Sequence, residues 1–260
     1  MKKYLISLVV IYLFSCSNTY GLEISGLQPL APNGIFSTFS TSSLAKGTFA
    51  FSTDAEVSID PDLYKFFLKG AYGLTNNIEL IMNVPYVFGS DSPDGFEDIA
   101  IGIKHRFFNE GKYGPSVAYI VTASIPSGTD EYSTDGRIGA GLLVSKKVGP
   151  VNGHINLFFV MPGRGEFDNE VALLAGLDFA AAHNFKILAE LYSKTSFRTG
   201  KVESIEGRIG YRIKTTDSIY TTVGAGFDFK NRNPATRLMF SVTFVSPPHK
   251  KEIKKIYEEE

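Results

Sequence analysis

The chain has 260 residues and carries 26 Lys and Arg against 27 Asp and Glu, so its net charge is close to zero. That balance excludes a nucleic-acid-binding protein, which needs a basic face. Beyond the N-terminus there is no run of ~20 apolar residues, so no helical membrane span is expected in the mature chain. The single Cys excludes a disulfide framework.

The first residues read as an export signal. Lys2 and Lys3 give a basic start, and Tyr4 to Phe14 form an apolar core too short to span a membrane. Thr19 and Gly21 supply small residues for cleavage before Leu22, which makes 1–21 a signal peptide. Alternatively, Leu13-Phe14-Ser15-Cys16 forms a lipoprotein box with Cys16 lipidated. Residues 22–45 contain Pro29, Pro32 and a Ser/Thr run. They are expected to be either a periplasmic lead-in or a plug folded into the domain formed by the rest of the chain.

From Lys46 the pattern changes to segments that alternate apolar with polar or small residues. This period of two marks strands with unlike faces. Strands are predicted at 47–59, 62–73, 78–88, 97–108, 115–126, 137–148, 151–161, 169–181, 185–194, 202–213, 219–228 and 235–244. These segments match the ~9–11 residues that a tilted strand needs to cross a bilayer. Soluble strands are nearer ~5–6 residues. Connections such as Leu74-Thr75-Asn76-Asn77 and Gly149-Pro150 are short, and alternate ones such as Ser127 to Gly136 are longer and more polar. Short periplasmic turns and longer external loops are the outer-membrane pattern. The connection near Asp60-Pro61 is short where a long one is expected. The expected fold is all-β, a closed antiparallel transmembrane barrel of about twelve strands spanning 46–244, with 245–260 as a charged periplasmic tail.

One face of these strands is apolar, as in Ile78, Leu80, Met82, Val84, Tyr86 and Phe88. The opposite face carries charges of both signs. Lys65, Lys69, Glu79, Lys104, Arg106, Arg137, Glu170, Asp178, Glu190, Glu206, Arg208, Arg212 and Arg237 are the predicted lumen-lining residues. Arg208 can pair with either Glu190 or Glu206. Lumen charges of this kind either satisfy one another or tune a polar path for a solute. Tyr64, Tyr72, Tyr86, Phe88, Phe107, Phe185, Tyr211 and Phe244 fall near strand ends on the apolar face. They suit aromatic girdles at the two interfaces, and equally the plain strand preference of aromatics.

Five phrases carry a family resemblance: Ala71-Tyr72-Gly73-Leu74-Thr75-Asn76-Asn77-Ile78-Glu79-Leu80, Val84-Pro85-Tyr86, Asp98-Ile99-Ala100-Ile101-Gly102-Ile103-Lys104-His105-Arg106, Ser145-Lys146-Lys147-Val148-Gly149-Pro150 and Ala189-Glu190-Leu191-Tyr192. The sequence resembles the phenol-degradation MetA-pathway family of transporter-like outer-membrane barrels over roughly 46–244. The resemblance implies a barrel and a role in uptake of small, hydrophobic or aromatic compounds.

Catalysis has no supporting constellation. By this register His105 faces lipid, His154 faces the lumen, His183 lies in a turn and His249 in the tail, none with a partner evident from spacing. The acidic loop residues Asp130, Glu131 and Asp135 are read as solvated, with a weak calcium site as the sharper alternative. No cofactor or metal is expected. The expected partners are outer-membrane lipid, the barrel-insertion machinery, to which the strand ending in Phe244 presents an alternating apolar signal, and a small-molecule solute. The expected location is the outer membrane of a Gram-negative bacterium. The expected function is a channel or transporter, with a structural or partner-binding barrel as the alternative.

Overall fold

The computed structural model describes residues 26–59, 63–89, 94–195, 200–230 and 236–247. The leader, the Asp60-Pro61 connection and most of the charged tail lie outside them. Twelve long strands form the wall: β1 Phe49–Ile59, β2 Leu63–Gly73, β3 Ile78–Gly89, β4 Ile99–Phe108, β5 Ser116–Ile125, β6 Arg137–Val148, β7 Val151–Pro162, β8 Glu170–Ala182, β9 Phe185–Thr195, β10 Val202–Lys214, β11 Ile219–Asp228 and β12 Thr236–Val245. Each pairs antiparallel with its chain neighbour. β1 pairs with β12, from Ala50↔Val245 to Ile59↔Thr236, which closes the sheet. A two-residue strand, Gly95–Phe96, adds to the end of β3. Closure removes the unpaired strand edges that lipid cannot solvate.

The alternation sorts the faces as the sequence predicts. Phe51, Leu68, Met82, Ile103, Leu157, Leu173 and Phe240 are about half exposed on the outside. An apolar band of this extent on a closed barrel belongs against lipid. Aromatic rings cluster at both rims. Tyr64 stacks on Phe88 with centroids 5.1 Å apart at one end, and Phe185 stacks on Tyr211 at 5.8 Å at the other.

Residues 26–45 run inside the barrel. Leu30, Phe39 and Leu44 pack with Ala71, Ile81, Ala118, Ile120 and Leu143 of the inner wall in one buried cluster. This segment has its own bridge, Gly34↔Phe39, and contributes no strand to the wall. Gly176 of β8 makes room for it: a Cβ there would stand 2.7 Å from Ile35 Cδ1 and 3.2 Å from Thr38 Cβ. Gly141 of β6 shows the same crowding within the wall, since a Cβ would meet the Phe158 ring at 2.5 Å.

Candidate functional site: the filled lumen

Charges on neighbouring strands meet because the antiparallel register sets them opposite one another. Glu79 opposes Lys104 across β3 and β4, and their charged atoms lie 3.2 Å apart. Glu190 opposes Arg208 across β9 and β10. Arg208 donates to Glu190 at 3.0 Å and to Glu206 at 2.9 Å, so it pairs with both acids. Arg237 Nε stands 3.7 Å from Glu206. Lys69 pairs with Asp54 at 2.6 Å, and Lys65 with Glu97 at 3.0 Å. Away from water such charges are tolerated only when paired and hydrogen-bonded.

The same groups grip the inner segment by its backbone. Glu190 Oε2 accepts from the Ser37 and Thr38 amides at 2.9 and 2.7 Å. Arg208 also donates to Ser37 Oγ at 2.6 Å. Arg212 donates to Gly34 O at 2.7 Å, and Glu79 accepts from Leu44 N at 3.1 Å. Lys69 donates to the Gln28 carboxamide at 2.7 Å. Asn156 of β7 makes a reciprocal pair with Phe39, accepting its amide at 2.7 Å and donating to its carbonyl at 3.0 Å. A segment without a helix or sheet of its own must place its backbone groups somewhere. Here the lumen side chains provide the partners.

His154 has partners that its spacing did not reveal, which corrects the sequence expectation. Ser145 lies directly opposite across the β6–β7 turn, with its Oγ 2.7 Å from His154 Nδ1. Asp178 Oδ2 lies 3.5 Å from Nε2 and is also paired with Lys186 at 2.9 Å. The three residue types match a hydrolytic triad, yet Ser145 Oγ already accepts the Thr41 amide of the inner segment at 3.0 Å. Its place in the fold is to hold that segment.

Above residues 26–45, toward the longer loops, a cavity of about 100 Å³ remains. Leu27, Gln28 and Ser37 form its floor, and Arg137, Glu170, Arg208 and Arg237 are in its wall. Glu170 Oε2 lies 3.8 Å from Lys194 Nζ. Arg106 keeps the inward register of the predicted lining, opposite the buried Ala118, at the last turn-ward position of β4. It sits at the end of the barrel that carries the short turns and donates to Asn76 O at 3.1 Å and Asn77 Oδ1 at 2.7 Å. It staples the β2–β3 turn.

At the opposite rim, the β5–β6 loop is organised by Asp98 rather than by its own acids. The buried Asp98 carboxylate accepts from Ser133 Oγ at 2.8 Å, from Thr134 N and Oγ1 at 2.9 Å each and from Gly128 N at 3.1 Å. Burial pushes its pKa up, but these donors outweigh that effect and hold it below the ordinary 3.8. Asp135 pairs outward with Arg164 at 3.3 Å. Among the described residues no group of His, Cys, Asp and Glu is placed to hold a metal ion.

Residues 35–244 match the family described as "Putative MetA-pathway of phenol degradation". The chain belongs to this family. Its fold is that of outer-membrane barrels. An outer membrane channel from Pseudomonas putida F1 superposes with TM-score 0.60 at 13% identity, covering 79% of this chain and 98% of that one. The KdgM porin gives TM-score 0.58 at 13% identity, covering 75% and 98%. The NanC porin gives 0.58 at 12% identity with the same coverage. No curated protein sequence matches this family member.

Proposed function

We propose that this barrel is an outer-membrane channel for a small solute, hydrophobic or aromatic in part, and that residues 26–45 close it. One observation carries the reading: the lumen charges are bonded to the backbone of a segment that forms no part of the wall. Such a segment can move without breaking the strand ladder, and it stands between the cavity and the periplasmic end. The apolar members of the cavity wall, Phe158, Val160 and Leu174, suit the hydrophobic part of a solute. Lipid is the partner of the outer face.

The alternative, a structural barrel without transport, draws on the mutual pairing of Glu190, Arg208 and Glu206. Liposome swelling separates the two. Entry of small solutes into vesicles carrying the folded protein, above the rate of protein-free vesicles, supports a channel. Folded protein that admits none of them contradicts it.

A further inference from the structure

The inner segment is tied down at one end and open at the other. At its C-terminal end the Lys46 amide donates to Asn76 Oδ1 at 3.0 Å and the Gly47 amide to Gly73 O at 2.8 Å, both at the short-turn end of the barrel. Followed backward, the chain rises to the Glu190 contacts of Ser37 and Thr38, then returns to the short-turn end. There Arg212 holds the Gly34 carbonyl and Asn33 Nδ2 donates to Glu79 at 3.4 Å. From Asn33 to Gly26 it rises again, past Lys69 at Gln28. Leu27 lies against Gly102, near the long-loop end of β4, where an added Cβ would collide with its side chain. Gln28 to Ala31 are buried, but Gly26 is exposed, and a Cβ on it would meet nothing within 4 Å. The chain therefore leaves the plug at Gly26 toward the long loops, into the cavity that Gly26 and Leu27 help to line. The lumen below is filled by Leu30, Phe39 and Leu44.

With cleavage before Leu22, four residues precede Gly26: Leu22, Glu23, Ile24 and Ser25. Fully extended they stay within ~14 Å of Gly26, itself a lining residue. In an extended stretch alternate side chains share a side, so Leu22 and Ile24 point together. The cavity offers them an apolar wall, Phe158 and Val160 on β7 with Ala172 and Leu174 on β8. At ~10–15 Å³ per water-sized group, the cavity takes about seven to ten such groups, and these two side chains carry about eight carbons. We propose that residues 22–25 dock in this cavity with Leu22 and Ile24 on its apolar wall, so that the protein's own amino-terminal residues fill the place where a solute would bind. A solute then reaches Phe158, Val160 and Leu174 only by displacing them. That use rests on the channel reading, whereas the docking rests on the course of the segment and on the cavity.

The test is chemical cross-linking of the full chain, processed by the cell and carrying pairs of introduced cysteines, since the one native Cys is Cys16 of the leader. Ile24→Cys is combined with Val160→Cys in the half-buried cavity wall, or with Thr75→Cys in the exposed β2–β3 turn. A short bismaleimide is expected to join the first pair at least about tenfold more than the second. Adding Leu22→Ser removes apolar contact and is expected to lower the yield of the first pair about fivefold, whereas Leu22→Met leaves it unchanged. Retained heat-modifiable gel mobility reports that each variant is folded. Preferential joining to Thr75→Cys, no joining to Val160→Cys in a folded barrel, or a yield indifferent to Leu22→Ser overturns the proposal. None of these results touches the channel reading, which the swelling assay decides separately.

Discussion

Replacing Asn156 with Leu tests how firmly the plug is held. The native carboxamide is fully buried and makes two hydrogen bonds to Phe39, at 2.7 and 3.0 Å. A leucine of similar volume keeps the packing but removes both bonds. Each neutral bond is worth about 1 kcal/mol, and orphaning a buried amide or carbonyl costs ~1–3 kcal/mol. With partial relaxation, about 2–5 kcal/mol is lost from the closed arrangement. At ~1.4 kcal/mol per factor of ten, the ratio of open to closed molecules rises by roughly 30-fold to several thousand-fold. Open probability in planar bilayers reads this directly, and amide exchange at Phe39 reads it independently. Asn156→Asp keeps the acceptor but loses the donor, so it is expected to fall between wild type and Asn156→Leu. A folded Asn156→Leu protein with wild-type gating and wild-type protection at Phe39 refutes the reasoning.

Gly176→Val places branched carbons against Ile35 and Thr38, costs ~1–3 kcal/mol of overpacking and raises conductance while the barrel stays folded by gel mobility. Glu79→Gln leaves the buried Lys104 ammonium without its counter-charge and lowers stability to denaturant by about 3–5 kcal/mol, and adding Lys104→Met recovers most of the loss. Because Asp98 has a depressed pKa, its hold on the β5–β6 loop is complete above the ordinary carboxylate value of 3.8 and is lost as the pH falls through its lower folded value. Proteolytic nicking of that loop is therefore expected to be equal at pH 7 and pH 5 and, with an acid-active protease, to rise only below about pH 4 in wild type. In Asp98→Ala it is expected to be high throughout.

Much of the wall is legible in the sequence because its physics is local. Strand length, a period of two and turn residues place β6 and β7 within a residue of their observed bounds. The Gly149-Pro150 turn then fixes their register. That same register carries the signal by which the His154 partner could have been found: counting outward from the turn sets Ser145 opposite His154. Alternation puts Glu190 and Arg208 on adjacent strands, but it does not foretell the Asn156 clasp. Asn156 grips backbone at Phe39, and backbone amides carry no sequence signature. For the same reason residues 22–45 leave two placements open: a Pro- and Ser-rich stretch without periodicity does not announce where its amides find acceptors. Alternation puts Arg106 on the inner face, opposite Ala118, but it does not foretell that the guanidinium bonds the β2–β3 turn at Asn76 and Asn77.

The most direct test of a plugged channel is single-channel conductance of the full chain beside a variant lacking residues 26–45, each refolded and shown to be a barrel by gel mobility. The full chain is predicted to be closed or to open rarely, and the deletion to give a large, steady conductance. Equal conductance in the two proteins contradicts the plug, since the lumen would then be open or shut for reasons unconnected with the segment inside it.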